Sequence, residues 1–329
     1  MSRRYRGRRR GVYMGPAMVL AGILVIMLGI FLVFLATREK GQMADGQQDD
    51  TPPAEELQEE FSLPDHATTA SGISCALADL EQEAIHSGEL ILVNNWTSYH
   101  FPEEQELVCV YEKKSDGYYV RDLSVFLAPV AMDAMDRMLV DFRTQGGSKS
   151  INVVAGYRTR EDQQHLFDQS AERNGREHAE RYVAKPGGSE HHTGMAVDFS
   201  ILQGNGVSAD YDGTGEYAWI NSNCHRYGFV VRYAQDKADL TGIWDEPWHF
   251  RYVGVPHATE MGKQAMCMEE YMDYLKKFPF DGEHLTIDCD TGSYEVWYTE
   301  GTQVYLPESG EYQLSGNNTD GVIVTCKIG

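Results

Sequence analysis

Positive charge is scarce in this chain: among 329 residues, Lys and Arg number 28 against 50 Asp and Glu, a formal net charge of −22. Such a surface repels phosphate, so nucleic acid is excluded as a partner. The acidity itself reads as a solvated surface. The six cysteines never occur as Cys-x-x-Cys, which argues against a cysteine zinc knuckle. No segment recurs at a fixed period, which excludes a solenoid or propeller. Long charge-free apolar runs are also missing, with one exception at the N-terminus.

That exception is "AMVLAGILVIMLGIFLVFLA", Ala17 to Ala36, which follows the basic run "MSRRYRGRRRG". About 20 apolar residues suffice to span a ~30 Å hydrocarbon core. A signal peptide would have a shorter apolar region and a small-x-small cleavage site, and here Phe34 and Leu35 precede Ala36. The segment therefore reads as an uncleaved single-pass anchor over residues 14–37. Its basic tail, residues 1–13, is expected in the cytoplasm and the rest outside the cell membrane. Residues 38–70 are rich in Gln, Glu, Asp and Pro and are expected to be a flexible acidic tether. An extracellular domain with an even cysteine count suggests disulfides. Proximity along the chain favours Cys75 with Cys109, Cys224 with Cys267, and Cys289 with Cys326.

Beyond the tether, helix and strand signals alternate, which predicts an α+β fold. "CALADLEQEAIHSG" is expected to be a helix ending at Gly88, "ELILVNN" a strand, and "ELVCVYEKKSDGYYVRD" a hairpin turning at Asp116-Gly117. "PVAMDAMDRMLVDFRTQGG" has Pro129 at a helix start and Gly146 past its end. Ala131, Met135, Met138, Leu139 and Phe142 line one face. Ile151 to Ala155 reads as a strand. Thr159 with Asp162 then caps a helix that stops near Asn174-Gly175. Arg158 sits at that strand-to-helix corner and Gln163 on the helix's first turn. A cation beside a helix N-terminus suits a carboxylate ligand.

The stretch "SEHHTGMAVDFS" places two histidines just ahead of Asp198. "MAVDF" alternates, so Met195, Val197 and Phe199 face one way and Ala196 and Asp198 the other. An acid on an apolar strand is costly unless it is paired or bound to metal. "DEPWHFRYVG" supplies a third donor, His249, and an acid three residues before it, Glu246. Two histidines and an aspartate leave a zinc ion an open position, and a glutamate outside the ligand set can take a proton. Which of His191 and His192 is the donor stays open at this level.

Together "GYRTREDQQHLF", "PGGSEHHTGMAVD", "NCHRYGFVVRY" and "TGIWDEPWHFRYVG" resemble the VanY-type D-alanyl-D-alanine carboxypeptidases, zinc peptidases that trim the peptide stems of bacterial cell wall. The resemblance covers roughly residues 91–275. It implies a small α+β domain, residues 71–277, whose antiparallel sheet carries Zn2+ between flanking helices. The family pattern Ser-x-His-x-x-Gly-x-Ala-x-Asp falls on Ser189, His191, Gly194, Ala196 and Asp198. It makes His191, Asp198 and His249 the metal ligands, Glu246 the catalytic base, and Arg158, Gln163 and Ser189 the residues that hold the substrate. Arg158 would also steady the oxyanion. The implied partners are peptidoglycan stem peptides and, through the N-terminal helix, the membrane. A non-catalytic wall-binding or sensing module on the same fold would be marked by a lost ligand or base, and none is lost. An endopeptidase would need a groove open at both ends. Residues 278–329 lie outside the resemblance and read as a small C-terminal β module whose aromatics serve packing.

Overall fold

A computed structural model describes residues 63–328. The basic tail, the anchor and most of the tether lie outside the described residues. Among the described residues, no helix is long and apolar enough to cross a membrane.

The helix predicted from Pro129 forms as α1, Pro129–Thr144, with Pro129 in its first turn, where a missing N–H costs nothing. Ala131, Met135, Met138, Leu139 and Phe142 are all buried on one face. The chain then runs through β1 (Ile151–Ala155), α2 (Arg160–Asn174) and α3 (Arg176–Tyr182) to β2 (Ala196–Leu202). It returns through β3 (Phe229–Tyr233), β4 (Glu246–Tyr252), α4 (Val255–Gln264) and α5 (Met268–Leu275). The central sheet places β1, β2, β4 and β3 side by side, antiparallel throughout, with the short strand Tyr119–Val120 parallel to β1 at the edge. The apolar side chains of α1 pack on the sheet through Val153, Val197, Phe199 and Phe250. Fully burying side chains of this size contributes about 1.5–3 kcal/mol each. This core holds the far face of the two strands that carry the site.

Several local expectations fail where long-range contacts override local propensity. Residues 74–79 form a strand, followed by a 3-10 turn at Gln82–His86, not a helix from Cys75. That strand pairs with Gln303–Pro307 near the other end of the chain. His66–Thr68 pairs with it in turn, inside the segment expected to be tether. Glu89 to Asn95 joins no ladder. Side chains meet its buried carbonyls, Arg251 donating to those of Glu89 and Ile91 and Asn318 to that of Leu92, while the Leu92 and Asn94 N–H groups donate to the carbonyls of Asn317 and Thr97. The expected hairpin at Asp116-Gly117 does not close, because Val108–Cys109 pairs with Phe126–Leu127 and Tyr119–Val120 with β1.

The C-terminal strands Leu285–Cys289, Gly292–Glu300, Tyr312–Gly316 and Gly321–Lys327 form a four-stranded sheet. Trp297, Tyr298 and Tyr305 are buried, as packing residues should be. Leu285, Ile287 and Val296 share one apolar cluster with Leu90, Val253, Met261 and Met272, so the expected boundary at residue 277 runs through a continuous core. None of the three expected disulfides is formed, and all six cysteines are free thiols. Cys75 is drawn into the three-stranded sheet and shares a core with Cys326, while Cys109 belongs to a separate ladder. Closeness in sequence was a poor guide because these strands pair with distant partners.

Candidate active site

β2 and β4 lie antiparallel with Asp198 directly across from His249. Side chains of such a pair stand on one face of the sheet. His249 Nδ1 lies 2.8 Å from Asp198 Oδ1. His191 reaches the same carboxylate from the 3-10 turn Glu190–Thr193, with its Nε2 3.1 Å from Asp198 Oδ2. That turn ends on Gly194 in the left-handed region, φ 70°, where a Cβ would stand 2.8 Å from Leu107 and 3.1 Å from the Ala128 nitrogen. A larger residue there would displace the loop that presents His191. One donor atom from each of His191, Asp198 and His249 lies within 4.8 Å of the others, and all three residues are buried.

The surroundings prepare these groups to hold a cation. His191 Nδ1 faces the Gly156 carbonyl at 2.6 Å; a carbonyl only accepts, so Nδ1 carries the proton and Nε2 is left as a donor atom. Burial, with Arg158 next, pushes His191 down to about 4, so it is neutral at ordinary pH. His249 turns its Nε2 to Glu190 Oε2 at 3.3 Å, which leaves Nδ1 toward Asp198. Burial would lower His249, but its hydrogen bonds to Asp198 and Glu190 outweigh that and push it up to about 9, so a cation taken up at Nδ1 displaces a proton. A buried carboxylate between two imidazoles, each oriented through its other nitrogen, fits zinc in donor type and number.

His192 is a different case. Its Nδ1 meets the Arg158 carbonyl at 2.8 Å and its Nε2 accepts from the Gly187 N–H at 3.1 Å. Both nitrogens are committed to backbone, so His192 braces the loops around the site and has no donor to offer. The structure thus separates the two adjacent histidines.

Glu246 opens β4 opposite Tyr233. In a regular strand, residues three apart point to opposite faces, and Glu246 would turn away from His249. The β3–β4 register shifts between Glu246 and Phe250, and this irregularity brings both residues to the wall of one cavity. Pro247 fits such a break, since it has no N–H to pair. Burial raises the Glu246 carboxyl to about 7, opposed by His249 and assisted by Asp198. A carboxyl held near neutrality is suited to taking and returning a proton.

The substrate residues expected at the corner divide. Ser189 is 3 % exposed and lines the cavity, and among the described residues its hydroxyl has no partner. Arg158 also lines it, with Nη2 3.0 Å from Asp198 Oδ2. Gln163 is 1 % exposed; its amide donates to the Ala184 carbonyl at 2.8 Å and its oxygen accepts from Arg158 at 3.4 Å. Gln163 therefore steadies Arg158 and the neighbouring loop. Thr159 caps α2 as read from the sequence, accepting from the Asp162 N–H at 3.1 Å.

Two features were missed. Tyr233 packs its ring 5.0 Å from that of His249 and lines the cavity. Burial, followed by Glu190, holds its hydroxyl well above the usual tyrosine range, so it is a donor, and among the described residues no group takes its bond. The second feature is a buried charge network. Glu190 accepts from Arg232 Nε at 2.7 Å and Arg251 Nη1 at 3.3 Å; Arg232 also pairs with Glu269, 2.7 Å away. Burial alone would raise Glu190, but the two arginines outweigh it and hold the carboxyl well below its usual range. Glu190 is thus a fixed anion that receives the His249 Nε2–H. Only an acid inside the histidine motif hinted at it, and its arginines come from other elements.

A family model described as VanY, D-alanyl-D-alanine carboxypeptidase, matches residues 124–255. A D-alanyl-D-alanine carboxypeptidase of Enterococcus faecium is 32% identical over 256 residues, covering 75% of this chain and 77% of that protein. A bifunctional D-Ala-D-Ala dipeptidase and D-Ala-D-Ala carboxypeptidase of Enterococcus gallinarum is 36% identical over 157 residues, 47% of this chain and 81% of that one. Among solved structures, a vancomycin-resistance D,D-dipeptidase in complex with a D-Ala-D-Ala phosphinate analogue is 31% identical. It superposes with a TM-score of 0.69 over 77% of this chain and 99% of that one.

Proposed function

Given that this chain belongs to the VanY family of D-alanyl-D-alanine carboxypeptidases, we propose that it is a zinc carboxypeptidase that removes the C-terminal D-alanine from peptidoglycan stem peptides. The observation that carries this reading is the meeting of two kinds of group on one cavity: the three-donor cluster of His191, Asp198 and His249, and the unpartnered Glu246 carboxyl raised to about 7. A zinc ion held by those three residues would act as a Lewis acid, polarising the scissile carbonyl and acidifying the attacking water. Glu246 accepts the proton of that water and delivers it to the leaving amine. Arg158 and Ser189 hold the terminal carboxylate, and Arg158 with the Tyr233 hydroxyl donates toward the developing oxyanion. Gln163 keeps Arg158 in place. Glu190 keeps the His249 Nε2–H oriented and takes no part in proton transfer.

The same reading puts the domain outside the cell, held by the apolar segment of residues 14–37 with its basic flank inside, as the sequence there supports. Protease added to intact cells should then remove the domain, and a protected domain would reverse the orientation. The activity is tested by incubating the zinc-loaded protein with penta- and tetrapeptide stems and identifying the released residue by mass. Release of a single C-terminal D-alanine supports the reading. Cleavage at an internal bond only would contradict it.

A further inference from the structure

The cavity extends well beyond the metal-binding cluster. It holds about 390 Å³ and follows α2 from Gln163 to its last residue, Asn174. Gln163, Leu166, Gln169, Ser170, Arg173 and Asn174 all line it, and their spacing of three to four residues marks a single helical face. A dialanine needs only the end near Arg158. With the terminal carboxylate held there, this face offers the preceding part of the substrate a wall to run along.

The far end of the face is cationic. Among the described residues, Arg173 makes no ion pair and no hydrogen bond, whereas its neighbours on α3, Arg176 and Arg181, are paired with Glu180 and Glu177. A guanidinium without an acid partner, turned to a cavity in a chain with 50 acids and 28 bases, is set out for an anion from elsewhere. Favourable interaction with the helix C-terminus accounts for a cation in the last turn, but not for its place on the cavity face. Gln163 and Arg173 are ten positions apart, about 15 Å at ~1.5 Å per residue. An extended peptide covers that distance in roughly four residues at ~3.3–3.6 Å each.

From this we infer that Arg173 is a specificity residue that pairs with a carboxylate carried three to four residues before the C-terminal residue of the substrate. The inference rests on the carboxypeptidase reading and names a feature of its substrate: an acidic stem, recognised on the acyl side of the scissile bond.

The test uses two pentapeptide stems, L-Ala-γ-D-Glu-L-Lys-D-Ala-D-Ala with the glutamate α-carboxyl either free or amidated. Zinc-loaded wild type, Arg173→Gln and Arg160→Gln are compared. Arg160 starts the same helix, is exposed and lies outside the cavity, so it controls for the loss of one charge. Wild type should favour the free acid by about threefold to fivefold in kcat/KM, mostly through KM, as suits an exposed ion pair. The preference should shrink at about 0.5 M salt. Arg173→Gln should abolish it and Arg160→Gln should keep it. Equal use of both stems by wild type, or equal loss of preference in the two variants, would overturn the role of Arg173 while the carboxypeptidase reading stands. No release of D-alanine from either stem would overturn that reading as well.

Discussion

Asp198 and His249 face each other across one antiparallel pair of strands, with His249 Nδ1 2.8 Å from Asp198 Oδ1, and His191 closes on the same carboxylate from a 3-10 turn. Two of the three donors are thus set by sheet register, and the third by a loop that His192 braces. His191→Ala should lose stoichiometric zinc in a metal-content assay. His192→Ala should keep it and instead lose stability, by about 1–3 kcal/mol, because two buried backbone groups lose their partner. Equal zinc loss in the two proteins would show that the histidines were assigned wrongly.

The network behind His249 makes a separate prediction. Glu190 touches His249, whereas Glu269 reaches the network through Arg232. Glu190→Gln should weaken zinc binding about 10- to 100-fold in chelator competition, the usual effect of losing a carboxylate behind a ligating histidine. Glu269→Gln should destabilise the fold and leave zinc affinity nearly unchanged. A common loss of affinity would mean that the network acts only through stability.

His257 gives the stability a pH dependence. It is 2 % exposed, with Nδ1 2.9 Å from Tyr271 Oη and Nε2 2.8 Å from Thr325 Oγ1, so it ties α4 to α5 and to the last strand. Burial pushes it from 6.5 down to about 3, which favours the neutral form in the fold. The unfolded chain then binds the proton first. The contribution is full above pH ~6.5 and is lost as pH falls from there toward 3, on the order of several kcal/mol. Urea unfolding across that range should show a shallower loss for His257→Gln than for wild type. Identical slopes would place the acid sensitivity elsewhere.

Much of the site was legible in the sequence because its chemistry is local. The histidine motif, Asp198 on an alternating strand, Glu246 beside Pro247 and the capped helix after Arg158 each announce themselves within a dozen residues. The fold around them was less legible. Residues 74–79 carry a helical pattern but pair with Gln303–Pro307, and Glu89 to Asn95 resembles a strand but is held by the side chains of Arg251 and Asn318. Glu190 could not be weighed from sequence, because its role depends on two arginines that arrive on β3 and β4. Gln163 lies on the cavity wall where the sequence motif places it, and its hydrogen bond to Arg158, which only the fold reveals, adds a supporting contact.

The most direct test of the account is turnover by Glu246→Gln with its zinc content verified. Glutamine keeps the shape at the start of β4 and removes the carboxyl proposed to take and return the proton. The zinc-loaded variant should remain folded and release D-alanine from a pentapeptide stem about 10²- to 10⁴-fold more slowly than wild type. Turnover close to wild type in the zinc-loaded variant would contradict the assignment of Glu246 and the mechanism built on it.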